Sequence, residues 1–146
     1  MRIRPLVSAD AEAVDGLLHQ LGYAQDGAAA AARLEAWDDD PSSAAFAAEL
    51  GGAVLGLIAV HVCPFFERPG SWGRIVALVV AEEARGHGVG GLLVAAAEAF
   101  AADRGCVRME VTSSDHREAA HEFYVRRGYE VQTGRSTRFL RDLDGR

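Results

Sequence analysis

The apolar run Ile75-Val76-Ala77-Leu78-Val79-Val80 leads, through Arg85-Gly86-His87-Gly88-Val89-Gly90-Gly91, into a stretch where Val89, Leu92, Leu93, Ala96 and Phe100 recur at helical spacing. The run is rich in β-branched residues and reads as a buried strand, while the later spacing packs one helix face onto a sheet. Between them, glycine lets the backbone take positive φ and removes the side chains that would hold a ligand away from the main chain. Amides at a helix start lack intrahelical acceptors and face the positive end of the macrodipole. Strand, glycine turn and helix together therefore predict an anion site suited to phosphate oxygens.

The 146 residues are 49% hydrophobic, enough for one domain, 1–146, with a core of its own. Formal net charge is −6, so the overall field gives no support to nucleic-acid binding, although a local basic site still binds a small anion. No apolar run reaches the roughly 18 residues of a membrane span, and the first residues carry no secretory leader pattern. A cytoplasmic location is the resulting expectation. Cys63 and Cys106 lack CxxC spacing and a nearby histidine pair, so both read as free buried thiols and no metal is expected.

Along the chain, Ile3 to Val7 reads as a strand and Ser8-Ala9-Asp10 as an N-cap. The helix that follows runs to about Leu21, with Val14, Leu17, Leu18 and Leu21 on its apolar side, and Gly22 ends it. Ala28 to Trp37 is a second helix, stopped by Asp38-Asp39-Asp40-Pro41, a solvated acidic turn. Ala44 to Leu50, Gly51-Gly52 and Ala53 to Val62 predict a hairpin with a primed turn. Cys63 to Gly73 reads as a loop, to which Phe65, Phe66 and Trp72 add aromatic surface. The helix after the glycine turn ends near Asp103, with Gly105 as its cap, and a strand follows at Val107 to Thr112. Ser114 or Asp115 caps a helix to Arg127, and Tyr129 to Val131 and Arg135 to Leu140 read as two last strands.

Three phosphate ligands compete for the glycine turn. A nucleotide P-loop requires Gly-Lys-Ser or Gly-Lys-Thr, and neither is present. A dinucleotide site is met literally by Gly86, Gly88 and Gly91, with Glu110 near the expected acidic position, but the chain after the turn is too short for the rest of a doubly wound fold. The third ligand is coenzyme A. Arg85-Gly86-His87-Gly88-Val89-Gly90 resembles the R/Q-x-x-G-x-G/A motif of the GNAT N-acetyltransferase family, and Ala120 to Tyr129, with Phe123-Tyr124 and Gly128-Tyr129, resembles the segment that closes that family's cofactor site. The order of elements is similar along nearly the whole chain.

The resemblance implies a single-domain α/β (α+β) fold, with a mixed central sheet splayed between the fourth and fifth strands and about four flanking helices. It implies that the amides of Arg85, Gly86, His87, Gly88, Val89, Gly90 and Gly91 hold the pyrophosphate, and that backbone groups of Leu78, Val79 and Val80 pair with the pantetheine arm. Tyr124 matches the tyrosine that protonates the departing thiolate. Many relatives carry Asn seven positions before that tyrosine, where this chain has Arg117, so that contact is not carried over. Arg85 is open between a phosphate contact through its side chain and one through its amide alone, and His87 reads as exposed turn polarity. No general base stands out: Glu49, His61, Glu67, Glu110 and His121 qualify by residue type only. The acceptor pocket is expected from the first two helices and the loop around Phe65, Phe66 and Trp72.

The function expected from the resemblance is acetyl transfer from acetyl-CoA to a primary amine by direct attack, with a small-molecule acceptor favoured. A protein N-terminus or lysine acceptor, a noncatalytic acyl-CoA-binding module and an NAD-binding protein are the alternatives. No nucleic-acid or membrane partner is expected, and a homodimer is left open.

Overall fold

Gly51 and Gly52, at φ +59° and +82°, make the primed turn that joins strand β2, Ser43–Leu50, to β3, Ala53–Pro64. The computed structural model describes residues 1–23, 26–113 and 118–145. In it this hairpin is the middle of a five-stranded sheet completed by β1 (Arg2–Pro5), β4 (Ser71–Val80) and β5 (Cys106–Val111), in the spatial order β1-β2-β3-β4-β5. Pairing is antiparallel from β1 to β4 and parallel between β4 and β5, the mixed sheet expected from the sequence. Three helices, α1 (Ala11–His19), α2 (Gly27–Asp39) and α3 (Val89–Asp103), belong with the sheet to the unit Met1–Thr112. The unit Ser113–Arg146 holds α4, Glu118–Arg126.

The sheet buries both faces of its middle. Gly56, Ile58, Val60 and Val62 turn toward α3, and a Cβ on Gly56 would lie 3.1 Å from Leu93 and 3.3 Å from Val89. Leu57 and Val79 point the other way and are buried on the side where α1 packs against β3 and β4. Core contacts of α3 run along Val89, Leu93, Ala97 and Ala101, with Val94 beside them. This corrects the expected stripe, because Leu92 is 48% exposed. The helix meets the sheet along its i, i+4 row, where the two alanines let it approach closely.

Other expectations shift for physical reasons. Asp10 precedes α1 without capping it: its carboxylate takes two bonds from Arg4, at 2.8 and 2.9 Å, and one from the Val7 amide. Asp26 does cap α2, accepting from the Ala29 amide at 3.3 Å. The loop expected at Cys63 to Gly73 shrinks to Phe65–Gly70, because Cys63 pairs with Trp72 and Pro64 with Ser71, so Trp72, Gly73 and Arg74 are strand residues. Neither Tyr129 to Val131 nor Arg135 to Leu140 forms a strand; the segment makes a turn at Gly134 and an isolated bridge between Thr133 and Ser136. Val131, Phe139, Leu140 and Leu143 stay exposed there, so no apolar face holds a ladder in place. The cap expected at Ser114 or Asp115 lies outside the described residues.

Candidate functional site

β4 carries an extra residue at its middle. Ala59 faces Ala77 while Val60 faces Ile75, which leaves Val76 as a bulge. At the same level β5 parts from β4, the last pair being Ile75 with Val111. From Val76 to Val80 the strand has β3 on one side and no strand on the other among the described residues, so the sheet is splayed there as expected. Leu78, Val79 and Val80 stand opposite Ile58, Leu57 and Gly56 of β3, and half of their backbone groups face the gap.

At the end of β4 the Ala81 amide donates to the Leu55 carbonyl at 2.8 Å, and one 3₁₀ turn, Glu82–Ala84, leads to Arg85. Gly86 and Gly88 both stand at φ +81°, and a Cβ on either would meet nothing within 4 Å. Glycine is therefore required there by the left-handed conformation alone. Gly88 immediately precedes α3 and has no side chain to cap it. No described residue accepts a hydrogen bond from the amides of Gly86 to Gly91, and the next amide, that of Leu92, reaches the Gly88 carbonyl at 3.2 Å. These donors, at the positive end of a 15-residue helix, fit a polyanion such as a pyrophosphate.

The side chains around the turn brace it. Arg85 Nε donates to the Val80 carbonyl at 3.3 Å, tying the turn to the end of β4. His87 Nδ1 lies 2.9 Å from the Arg85 carbonyl and 3.2 Å from that of Ala84. The residues read from the sequence as cofactor-binding thus fall in two stretches, Leu78 to Val80 in the open half of β4 and Arg85 to Gly91 leading into α3, joined by Ala81–Ala84.

Tyr124 sits in α4, within the unit Ser113–Arg146. Its ring packs edge-on against Phe123 at 5.1 Å and Tyr129 at 5.6 Å, and its carbonyl accepts the Tyr129 amide at 3.1 Å. Burial pushes its phenol above the usual tyrosine range, with Arg127 opposing. Arg127 itself lies 3.7 Å over the Phe123 ring. Arg117 lies outside the described residues.

Of the carboxylates and imidazoles named as bases, Glu49 is held by Arg4 Nε at 3.1 Å and by Arg2 at 3.5 Å. His61 Nδ1 lies 2.9 Å from the Ser43 hydroxyl, which donates to Asp40 at 2.9 Å. The Ser42 amide and then the Ser43 hydroxyl hold the Asp40 carboxyl below the usual carboxylate range. Glu67 is exposed in the Phe65–Gly70 turn, Glu110 stands opposite Arg74, and His121 lies in α4.

The aromatic loop, expected to line the acceptor pocket, lies away from the glycine turn. It stands at the start of β4, the other end of the strand from the glycine turn, with Phe66 fully exposed and Phe65 between Arg68 and Arg108. An apolar cavity of about 210 Å³ lined by Leu6, Leu34, Trp37, Phe46 and Phe100 lies toward β1 and β2, at the opposite edge of the sheet from β5. Arg74, where β4 and β5 part, has no local sequence signature and stands beside His61 and Glu110 only through strand register. Among the described residues no cluster of His, Cys, Asp and Glu is arranged to hold a metal, and no helix is long and apolar enough to cross a membrane.

The acetyltransferase (GNAT) family matches residues 12–129. An aminoalkylphosphonate N-acetyltransferase of Salmonella typhimurium (strain LT2) is 37% identical over 90 residues, which cover 61% of this chain and 58% of that protein. The match thus spans little more than half of that relative's length. The uncharacterized N-acetyltransferase YhfO of Bacillus subtilis (strain 168) is 31% identical over 141 residues, covering 92% of this chain and 93% of YhfO. Among solved structures, AAC(6')-Iy in complex with a CoA bisubstrate analogue has a TM-score of 0.81 at 22% identity, over 97% of each chain. That last likeness is one of fold.

Proposed function

This chain belongs to the acetyltransferase (GNAT) family, an acyltransferase family, and from that premise we propose that it moves an acetyl group from acetyl-CoA to the primary amine of a small molecule. The observation that carries the reading is the row of amides from Gly86 to Gly91 without described acceptors, at the start of α3 and next to the open half of β4. The names of two similar proteins, an aminoalkylphosphonate and an aminoglycoside N-acetyltransferase, support a small acceptor.

In this reading the amides of Arg85 to Gly91 hold the pyrophosphate, with the dipole of α3 behind them. Leu78, Val79 and Val80 offer the backbone donors and acceptors that β5 leaves unused, and these pair with the amides of the pantetheine arm. From Val80 to Val76 the strand covers about 13 Å at ~3.3 Å per residue, so an arm laid along it ends near the bulge. Bound there, acetyl-CoA supplies an activated thioester carbonyl. A β4 amide facing the gap then stabilises the negative charge that gathers on the carbonyl oxygen. The neutral amine attacks directly and the C–S bond breaks as the amide forms. The Tyr124 phenol, neutral at pH 7 like any tyrosine and pushed further that way by burial, gives its proton to the departing thiolate. The surplus proton on the amine nitrogen leaves to water, from which Tyr124 regains its own.

The test follows free thiol release from acetyl-CoA across a panel of primary amines, with side-by-side titration of coenzyme A and NAD. Turnover with at least one amine, and binding of coenzyme A in preference to NAD, is the expected result. Tight NAD binding without coenzyme A binding overturns the cofactor assignment. Coenzyme A binding with no turnover on any amine or peptide leaves a binding module.

A further inference from the structure

A straight row of side chains crosses the sheet where β4 and β5 part. Ser43 is in register with His61, His61 with Arg74, and Arg74 with Glu110, so the four share one face across β2, β3, β4 and β5. That face is turned away from α3, because the adjacent Gly73 points at Met109 and at Ala101 of α3. The next row toward the glycine turn is Ala45, Ala59 and Ala77, which carry only methyl groups and are partly exposed. Beyond it Ala47, Leu57 and Val79 are buried, on the side where α1 packs against the strands. A shallow alanine floor therefore lies between a closed apolar wall and a polar row, at the level of the β4 bulge.

Arg74 dominates the polar row. Its Nη2 donates to the Thr112 hydroxyl at 2.9 Å, and no described carboxylate lies within ion-pair distance of it, although Glu110 is its register partner. A guanidinium is always charged and presents five donors in a planar fork matched to acidic oxygens, and a single neutral hydroxyl leaves most of that fork open.

We propose that Arg74 binds the acidic group of the acceptor, a carboxylate or a phosphonate, so that the substrates are small zwitterionic amines. The inference rests on the acetyl-transfer reading above. On β3 the step from His61, the register partner of Arg74, to Ala59 in the alanine floor is two residues, about 7 Å, which is the reach of an amine two or three carbons from its acid. The positive Arg74 also disfavours polycationic amines, which the net charge of the chain would otherwise attract.

Matched amines test this: propylamine, 1,3-diaminopropane, β-alanine and 2-aminoethylphosphonate, each assayed by thiol release from acetyl-CoA. One of the two acids is expected to exceed propylamine and the diamine in kcat/KM by roughly tenfold or more, and the better acid tells whether the group is planar or tetrahedral. Arg74→Gln raises KM for that acid about tenfold, with kcat and the propylamine rate within about twofold, and Arg74→Lys recovers part of the loss. Preference for propylamine or the diamine, or an Arg74→Gln variant that slows every amine equally with a lower melting temperature, overturns the proposal and leaves acetyl transfer standing. If no amine releases thiol, the transfer reading falls, and binding decides the role of Arg74. 2-Aminoethylphosphonate alone then raises the melting temperature of the wild type and not of Arg74→Gln; equal shifts, or none in either protein, overturn the assignment.

Discussion

Gly88 holds φ +81° and ψ 6°, and a methyl group added to it would meet nothing within 4 Å, so Gly88→Ala isolates the conformational cost of the turn. That cost is about 1 kcal/mol for a left-handed alanine. Coenzyme A affinity is expected to fall several-fold as the amides re-aim, read by calorimetric titration beside thermal melting; unchanged affinity would remove the left-handed residue from the site. Tyr124→Phe keeps the ring packing against Phe123 and Tyr129 and removes only the hydroxyl. Turnover should drop by about 100-fold or more, with coenzyme A affinity within about twofold, and an equal fall in both would mark a packing role. Asp10 tests an ion pair: bonding to Arg4 and the Val7 amide, against desolvation, holds its carboxyl below the usual range. A depressed folded pKa means that the pair contributes stability above the unfolded value of about 3.9, and that this is lost as pH falls through the folded value. Asp10→Asn is then expected to cost about 1–2 kcal/mol in urea unfolding at pH 7, with the gap to wild type closing in acid. The glycine turn was legible because it is written in a contiguous motif, and its left-handed glycines are present; the role proposed for Tyr124 rests on a second contiguous motif. The row of Ser43, His61, Arg74 and Glu110 was not legible, since those residues come together only through register.

Helix α3 can sit where it does because β3 offers a glycine beneath it. A Cβ on Gly56 would lie 2.9 Å from the Val79 carbonyl oxygen, a backbone atom of β4, besides pressing on Leu93 and Val89. Gly56→Ala must therefore push apart β4 and the first turn of α3, the two elements that carry the candidate cofactor surface. The expected result is a loss of about 1–3 kcal/mol together with weaker coenzyme A binding, measured by urea unfolding and titration. Stability lost with affinity kept would mean that the turn is positioned independently of the sheet. Periodicity found β2, β3, α2 and α3 because each spans several repeats of its pattern. It stopped short at β4, since Trp72-Gly73-Arg74 shows no alternation and becomes strand only by pairing with both neighbours. It overreached after Tyr129. The turn at Gly134 forms, with the Arg135 and Ser136 amides both reaching the Gln132 carbonyl, but the flanking Thr133, Arg135, Ser136, Thr137 and Arg138 give a strand no apolar face to bury.

A net charge of −6 argues against polyanion binding if charge is read as a total, yet the proposed ligand is itself a polyanion. The resolution is local: backbone amides and the α3 dipole act within a few ångströms, while the carboxylates are spread over the surface and screened beyond about 8 Å at physiological salt. Total charge therefore says nothing about a small anion held by local amides, and the coenzyme A reading rests on the glycine motif instead. Local binding of this kind has a thermodynamic consequence. A ligand that binds only the folded state stabilises it by about 2.7 kcal/mol at a hundredfold excess over Kd. For a chain of this size that is a rise of about 5–10 °C in melting temperature. Acetyl-CoA and coenzyme A should both produce it, since the pyrophosphate and pantetheine contacts are common to them, whereas NAD at the same concentration should leave the melting temperature within about 1 °C. Because the donors are short-range and largely neutral, the shift should survive an increase in ionic strength that would abolish binding driven by surface charge. A shift equal for NAD and coenzyme A would return the glycine turn to a generic anion cradle, and one lost entirely in salt would place the binding energy on arginines rather than on the amides from Gly86 to Gly91.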